Sequence, residues 1–160
     1  MSGFTDRAEG GRRLVPAVGD VARDLRAPLV LAILPNGVPV AEALADALEL
    51  PLLGVSLDRE GEPRVIEMPD VAGRDVIVVD DGVETGTAAR LVGAAAREVE
   101  VGRLVLAVPV CPRQAESGLR ALYDDVVAID RPLARRDLRW HYADFDTIDE
   151  AEARRRLDAR

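Results

Sequence analysis

Short, almost wholly apolar runs recur along this chain of 160 residues, and segments with helical periodicity separate them. The clearest runs cover Leu29–Leu34, Asp75–Val79 and Arg103–Val108. Runs without polar alternation are typical of strands that are buried on both faces of a sheet. Strands that alternate with helices predict right-handed crossovers and parallel pairing. We therefore expect an α/β fold with a mostly parallel central sheet flanked by helices, in which ligands bind at the carboxyl ends of the strands.

The same patterns assign an element to most of the chain. Helices are predicted at Asp6–Leu25 with Thr5 as N-cap, Pro39–Leu48, Thr85–Val99 and Pro112–Leu122. Further strands are predicted at Leu52–Leu57, Arg64–Met68 and Asp125–Ile129. The segment Asp58–Pro63 predicts a hairpin turn because it contains Gly61 and Pro63. A capping box over Thr147–Glu150 predicts the start of a terminal helix.

Composition limits the class of protein. A chain of 160 residues that is 48% hydrophobic fits a single domain over residues 1–160 with a core of its own. No apolar run approaches the roughly 18 residues that span a bilayer, so we expect no membrane insertion. The N-terminus has no apolar segment typical of a secretory signal, and Cys111 is the only cysteine. We therefore expect a soluble protein of the cytoplasm.

The charged residues exclude several chemistries. Asp and Glu number 29 against 21 basic residues, and all of the basic residues are arginine. The absence of lysine excludes Schiff-base catalysis and a P-loop lysine. A net charge of −8 argues against a nucleic-acid partner, whose phosphates the surface would repel. An anionic ligand would have to be bound locally, by backbone N–H groups, a few arginines or a metal.

One segment combines carboxylates with a glycine loop. Asp80 and Asp81 end an apolar run, and Gly86 follows between Thr85 and Thr87 at a predicted helix start. Carboxylates at a strand end can bind sugar hydroxyls or hold a hydrated Mg²⁺. Free N–H groups and the helix dipole favour a phosphate. The pattern indicates a sugar-phosphate site, although solvated aspartates before a helix N-cap would produce a similar sequence.

Several segments resemble one family. The run VIVVDDGVETGT over Val76–Thr87 resembles the phosphoribosyl-pyrophosphate (PRPP) motif of type I phosphoribosyltransferases. Leu31–Ala41 resembles the pyrophosphate loop of that family. Asp6–Leu14 and Trp140–Phe145 are similar to stretches in a broad subgroup of bacterial phosphoribosyltransferases. The resemblance covers nearly the whole chain in order, and it implies a small C-terminal segment that forms a hood over the site.

The resemblance implies a role for three groups of residues. The carboxylates that would face the ribose hydroxyls, directly or through Mg²⁺, are Asp80 and Asp81. The loop that would hold the 5-phosphate comprises Glu84, Thr85, Gly86, Thr87 and Ala88. The loop that would face the pyrophosphate comprises Pro35, Asn36, Gly37 and Val38. The implied reaction displaces pyrophosphate from the anomeric carbon of PRPP by a base nitrogen, through a transition state with oxocarbenium character.

Two departures from the family pattern weaken the expectation of an efficient enzyme. Close relatives carry a basic residue in the pyrophosphate loop, where this chain has Pro35 and Asn36. They also have a long flexible loop that closes over the site, and here Asp58–Pro63 reduces it to a tight turn. Arg59 and Arg64 are the basic residues that remain near this turn. Exclusion of water by a lid is therefore not expected.

The phosphate loop also differs in detail, with Ala88 where Ser or Thr is usual and Glu84 where a small residue is common. Enzymes of the hypoxanthine-guanine type have an aspartate at the position of Glu84, so this residue is a candidate general acid/base. The alternative, which charge repulsion between a carboxylate and a phosphate favours, is a solvated glutamate on a loop.

The aromatic cluster near the C-terminus has two interpretations. Trp140 and Tyr142, with Phe145 close by, could stack on a planar base. They could instead form a satellite core that anchors the terminal helix, and we favour this interpretation. Four arginines beside the cluster could supply the missing cations or could form a solvated surface: Arg131, Arg135, Arg136 and Arg139.

Three functional hypotheses remain open. The first is a phosphoribosyltransferase that uses PRPP and Mg²⁺, acts on an unidentified base and forms a homodimer. The second is a catalytically weak or inactive family member that binds a ribose phosphate or nucleotide as a regulatory module. The third, a phosphatase or receiver-type site on Asp80 and Asp81, is disfavoured because those folds place their key aspartate at the first strand and because the chain has no lysine.

Overall fold

The computed structural model describes residues 3–160. Within this range the strands are β1 (Leu29–Ile33), β2 (Leu52–Asp58), β3 (Arg64–Glu67), β4 (Val76–Val79), β5 (Leu104–Val110) and β6 (Asp125–Asp130). The α-helices are α1 (Arg7–Ala22), α2 (Val38–Leu48), α3 (Thr87–Glu98), α4 (Arg113–Arg120) and α5 (Glu150–Asp158). A short 3₁₀ helix, Leu138–His141, precedes α5. Among the described residues, no helix has the length and apolar character needed to cross a membrane.

These strands form one six-stranded sheet in the order β3-β2-β1-β4-β5-β6. Leu31 of β1 lies opposite Val78 of β4 on one side and Leu53 of β2 on the other, in parallel register. Strand β3 runs antiparallel to β2, because the turn after Asp58 returns the chain directly along that strand. The predicted fold class, a mostly parallel sheet flanked by helices, is confirmed, and so is the hairpin in place of a long loop.

The central strands are apolar on both faces because helices cover both faces. Leu31 and Val78 belong to one core, which packs under α3 and α4. Their neighbours Ala32 and Ile77 point the other way and pack under α1, α2 and α5. This alternation follows from the two-residue period of a strand. The two cores fix β1 and β4 in the middle of the sheet, so the loops that follow these strands meet at one edge.

Two predicted helix caps are wrong. The N-cap of α1 is Asp6 rather than Thr5, since a carboxylate oxygen of Asp6 accepts the N–H of Glu9 at 2.8 Å. The N-cap of α5 is Asp149, which accepts the N–H of Glu152 at 2.8 Å and takes the place of the capping box predicted over 147–150. In both places an aspartate one or two residues further along competes with the threonine for the same orphan amides.

Candidate functional site

A cavity of about 430 Å³ lies at the carboxyl ends of β1 and β4. Its lining combines the loop after β1, the hairpin between β2 and β3, the loop after β4 and the segment before α5. The lining residues are Pro35, Asn36, Arg59, Asp80, Asp81, Gly82, Val83, Glu84, Thr85, Gly86, Thr87, Ala88, Ala89, Leu138 and Phe145. The edge of a parallel sheet at which ligands bind therefore holds most of the predicted site residues.

The loop after β4 presents unused backbone amides. Gly86 adopts φ +90° as the N-cap of α3, and the first hydrogen bond of that helix runs from the N–H of Arg90 to the carbonyl of Gly86. Within residues 3–160, none of the N–H groups of residues 84–88 donates to a protein acceptor. The hydroxyls of Thr85 and Thr87 lie 3.1 Å apart on the same loop. Several N–H donors at a helix N-terminus form a site suited to a phosphate.

Asp80 and Asp81 follow the central strand β4 and differ in their partners. Asp81 is buried, and its carboxylate accepts the Nε–H of Arg7 at 3.0 Å. Asp80 is half-buried and accepts the N–H of Asp81 at 2.9 Å. Burial and the adjacent charge of Asp81 raise the pKa of Asp80 well above its ordinary value. Burial also raises the pKa of Asp81, although the charge of Arg7 opposes that shift.

The loop after β1 uses its own amides internally. The N–H of Gly37 donates to the carbonyl of Ile33 at 2.9 Å, and the N–H of Val38 donates to that of Pro35 at 3.2 Å. Pro35 and Asn36 line the cavity, whereas Gly37 and Val38 are not in its lining. Of the four predicted pyrophosphate-loop residues, only the first two can contact a ligand in the cavity without a rearrangement.

Arg59 is the one arginine that lines this cavity within residues 3–160. It lies on the turn between β2 and β3, and its Nη2 donates to the carbonyl of Leu34 at 3.3 Å, directly before the loop that lacks a basic residue. The turn therefore places a cation beside the pyrophosphate loop, although it is too short to cover the site.

Glu84 is not the solvated glutamate that charge repulsion favours. It is half-buried, and its Oε1 accepts the backbone N–H of Leu138 at 2.9 Å. The side chain therefore connects the phosphate loop to the 3₁₀ helix. This bond is long-range in sequence, so no local pattern indicated it.

The aromatic residues divide between two places. Trp140 is 57% exposed, carries Arg136 over its ring at 4.6 Å, and lies in a separate depression with Phe4 and Tyr142. Tyr142 is buried, and its hydroxyl donates to the backbone carbonyl of Asp81 at 2.6 Å. Neither Trp140 nor Tyr142 lines the cavity at the carboxyl ends of β1 and β4, so the structure does not bring the two candidate stacking residues to it.

Phe145 and Leu138 occupy the place in the cavity wall that the stacking interpretation assigned to Trp140 and Tyr142. The ring of Tyr142 packs between Phe4 and Phe145, at centroid distances of 5.5 and 5.7 Å. The small core that these rings form anchors the end of β4 rather than the terminal helix, because Tyr142 binds the main chain of Asp81. The satellite-core interpretation is thus confirmed for the packing of the rings, but its expectation that they anchor the terminal helix is wrong.

The arginine run before the aromatic cluster does not reach the cavity. Arg131 binds Glu116 at 2.7 Å on the α4 side, and Arg136 lies on Trp140. Arg7 is not in the cavity lining but contacts the site residue Asp81, and the sequence marks it only as part of the family-like stretch Asp6–Leu14. An arginine at a helix start has no pattern that distinguishes it from a solvated one, and its partners are distant in sequence.

The two carboxylates suit a metal ion that binds together with a substrate. Among residues 3–160, no cluster of three or more His, Cys, Asp or Glu side chains is arranged to hold a metal ion. Mg²⁺ usually binds through one or two carboxylates together with substrate phosphates and water. Asp80, half-buried in the cavity wall with Asp81 beside it, fits this mode of binding and does not fit an all-protein metal cage.

Comparison with known proteins agrees with this geometry. Residues 18–139 match the model of the phosphoribosyl transferase domain, so the chain belongs to that family. It is 28% identical to "Putative phosphoribosyl transferase Rv0571c" of Mycobacterium tuberculosis, over 82% of this chain and 41% of the relative. The chain thus spans about two fifths of the length of that curated relative.

Solved structures share the fold. The protein TT1426 from Thermus thermophilus superposes with a TM-score of 0.84 at 24% identity, covering 96% of this chain and 97% of that one. A purine phosphoribosyltransferase from Pyrococcus horikoshii superposes with a TM-score of 0.59 at 18% identity, covering 74% and 82%. The resemblance to type I phosphoribosyltransferases is confirmed at the level of family and fold.

Proposed function

We propose that this protein transfers a phosphoribosyl group from PRPP to a nitrogenous base, with Mg²⁺ as cofactor. The proposal rests on one observation: a single cavity contains both the backbone N–H groups of residues 84–88, which donate to no protein acceptor in the described chain, and the carboxylate of Asp80. Amides at a helix N-terminus suit a phosphate, and a nearby carboxylate suits ribose hydroxyls. Membership of the phosphoribosyl transferase family supports the same ligand.

Each part of the cavity has a role in this proposal. The amides of residues 84–88 and the hydroxyls of Thr85 and Thr87 bind the 5-phosphate. Asp80 accepts hydrogen bonds from the ribose hydroxyls. Arg59 and the Pro35–Asn36 segment face the pyrophosphate, where one guanidinium offsets part of the leaving group's charge. Leu138 and Phe145 form the apolar wall against which the planar base lies.

Residues of this chain would hold the metal together with the substrate. Asp80, with Asp81 beside it, would bind Mg²⁺, directly or through water. Bound there, Mg²⁺ would neutralise charge on the pyrophosphate. The chain itself then fixes the ribose between the phosphate loop and Asp80, so that a base nitrogen can form its bond to the anomeric carbon as the bond to pyrophosphate breaks.

The test is turnover with one base at a time. The protein is incubated with PRPP, Mg²⁺ and single purines or pyrimidines, and chromatography measures the nucleotide while a coupled assay measures pyrophosphate. We expect one base or one group of related bases to yield both products in equal amounts. Asp80→Asn should lower the rate by about a hundredfold or more. The control, Glu62→Gln, removes an exposed carboxylate from the nearby hairpin and should leave the rate unchanged.

A second candidate is a regulatory module that binds a ribose phosphate or nucleotide with little catalysis. The single arginine in the described cavity lining and the short turn over Asp58–Pro63 favour it, because both leave the leaving group poorly neutralised and the site open. Calorimetric titration with ribose 5-phosphate, a nucleoside monophosphate and PRPP separates the candidates. Binding without turnover on any base supports the module, and absence of binding contradicts both.

We further propose that the protein works as a homodimer in the cytoplasm. The open cavity needs a cover during transfer, since an oxocarbenium-like centre reacts readily with water. A second subunit is one such cover. Cys111 is buried and has no disulfide partner, which suits a reducing compartment.

A further inference from the structure

Arg7 is a buried arginine at an unexpected place. It is the first residue of α1 and is only 3% exposed. A cation at a helix N-terminus interacts unfavourably with the helix dipole, and burial of its charge adds a desolvation cost. Neither helix formation nor core packing therefore explains why this side chain is buried. The explanation has to come from its contacts.

The contacts of Arg7 join three separate segments. Its Nε–H donates to the carboxylate of Asp81 at 3.0 Å, and its Nη1 donates to the backbone carbonyl of Asp146 at 2.6 Å. Its guanidinium carbon lies 4.1 Å from the centroid of the Phe145 ring, a cation–π distance. One planar group thus holds helix α1, the loop after β4 and the segment before α5 together.

Arg7 makes the two adjacent carboxylates unequal. Asp81 is in an ion pair with Arg7 and has its backbone carbonyl bound by the hydroxyl of Tyr142 at 2.6 Å. Asp80 has no ion pair with an arginine among the described residues and lines the cavity. Within residues 3–160, the Nη2 of Arg7 is buried without a hydrogen-bond partner. The guanidinium is therefore buried at the cost of one unsatisfied nitrogen.

We propose that Arg7 is a positioning residue for ligand binding, which fixes the Asp81 carboxylate and the Phe145 ring in one arrangement and leaves Asp80 as the carboxylate that contacts the ligand. The inference rests on the proposed function, because it assigns Asp80 to the ribose and metal side of the ligand. The inference predicts that replacing Arg7 lowers the affinity for PRPP with Mg²⁺, because that ligand contacts the carboxylates. Binding of a phosphate to the amides of residues 84–88 does not involve Arg7.

The first test is Arg7→Lys, which keeps the charge but removes the planar fork that binds two oxygens and stacks on a ring. Calorimetry measures Kd for inorganic phosphate without Mg²⁺ and for PRPP with Mg²⁺. We expect the first Kd to change by less than about twofold and the second to rise by about tenfold or more. Equal loss for both ligands, or no loss for either in the folded variant, would overturn the proposal.

The control is Arg97→Lys. Arg97 also bridges two segments, with Asp124 at 3.1 Å and the carbonyl of Leu122 at 2.9 Å, but it does so at the amino end of β6. Its replacement should lower the thermal midpoint and leave both dissociation constants unchanged. A tenfold loss of PRPP binding in this control would show that general loosening, rather than Arg7, explains the effect.

A second variant covers the case in which a single substitution prevents folding. Arg7→Met combined with Asp81→Asn removes the buried cation and its partner together, so neither is left uncompensated. We expect the double variant to lose less thermal stability than the sum of the single variants, to bind inorganic phosphate normally and to bind PRPP weakly. Additive losses would contradict the coupling of Arg7 to Asp81. Turnover is not needed for either test, so failure to transfer to any base would reject the proposed function alone.

Discussion

At the scale of single residues, the site is defined by side chains that folding places in unfavourable surroundings. Asp80 is half-buried and lies beside the charge of Asp81, and both effects raise its pKa. A carboxyl group in such surroundings costs stability that a neutral side chain would not. Proteins commonly accept this cost where a ligand later supplies the compensating charge.

Replacing Asp80 should therefore stabilise the free protein. A carboxyl whose pKa is higher in the folded state contributes stability that is lost as pH rises above its ordinary, unfolded pKa. At pH 7 the cost is present, so Asp80→Asn should raise the Tm by a few degrees, at about 2–4 °C per kcal/mol for a chain of this size. The gain should shrink as the pH is lowered toward the ordinary pKa of aspartate. Calorimetric melting at several pH values measures it.

Asp124 provides the matched control. Despite its partial burial, the N–H of Leu104 and the charge of Arg97 hold the pKa of Asp124 below its ordinary value. Its ionised form stabilises the fold above the unfolded pKa, and this stability is lost as pH falls through the folded pKa. Asp124→Asn should lower the Tm at pH 7. A lower Tm for Asp80→Asn as well would contradict the stability cost assigned to the Asp80 carboxyl group.

At the scale of elements, the phosphate loop depends on one glycine. Gly86 has φ +90°, and a Cβ built there would lie 2.7 Å from Nη1 of Arg90, which binds the carbonyl of Thr85 at 3.0 Å. A side chain at this position would strain the backbone and displace Arg90. The loop conformation that exposes the amides of residues 84–88 therefore requires glycine.

Gly86→Ala should abolish phosphate binding at a moderate stability cost. A left-handed conformation costs a residue with a Cβ about 1–2 kcal/mol, and the loop can escape this cost by turning its amides away. Gly73→Ala is the control, since Gly73 has φ +74°, lies outside the cavity lining and has nothing within 4 Å of the position that a Cβ would take. Both variants should lose stability, since each places a Cβ on a left-handed backbone. Only Gly86→Ala should lose affinity for ribose 5-phosphate in calorimetry.

The segment before α5 should determine binding of the base. Phe145 lines the cavity and Trp140 does not, although Trp140 is the larger ring and is more exposed. Phe145→Leu should raise KM for the base several-fold, because the loss of one aromatic stacking contact costs about 1 kcal/mol. Trp140→Ala should leave that KM unchanged. A larger effect of Trp140→Ala in steady-state kinetics would show that Trp140, as in the alternative interpretation of the sequence, is the stacking residue.

At the scale of the whole molecule, the short hairpin between β2 and β3 leaves the cavity open. In a site that reacts through an oxocarbenium-like centre, water that has access hydrolyses PRPP in competition with transfer to the base. Within residues 3–160, the fold places Arg59 on this hairpin but no segment long enough to close over the ligand. A second copy of the chain could supply the cover.

We therefore predict a dimer whose dissociation exposes the site. Sedimentation velocity over a range of protein concentrations measures the oligomeric state. Parallel assays at the same concentrations measure the ratio of nucleotide formed to PRPP hydrolysed. This ratio should fall on dilution as the dimer dissociates. A monomer at all concentrations, with efficient transfer and no hydrolysis, would contradict the need for a second subunit.

The sequence alone determined the fold and the position of the phosphate loop, because both depend on local patterns. Apolar runs such as Leu29–Leu34 predict buried strands from their composition, and the alternation with helices predicts that these strands pair in parallel. The phosphate loop lies within a few residues of the strand that positions it. Asp80, Gly86 and the hairpin over Asp58–Pro63 are therefore where the sequence predicted them.

The tertiary structure decided which side chains face the cavity. Arg7 reaches Asp81 across 74 positions of sequence, and Glu84 reaches Leu138 across 54. Phe145, rather than Trp140, lines the wall because Tyr142 is held against the end of β4. Such contacts depend on how α1 and the C-terminal segment pack against the sheet. Residue type and spacing carry no information about that packing, since a solvated arginine and a buried one look the same in a sequence.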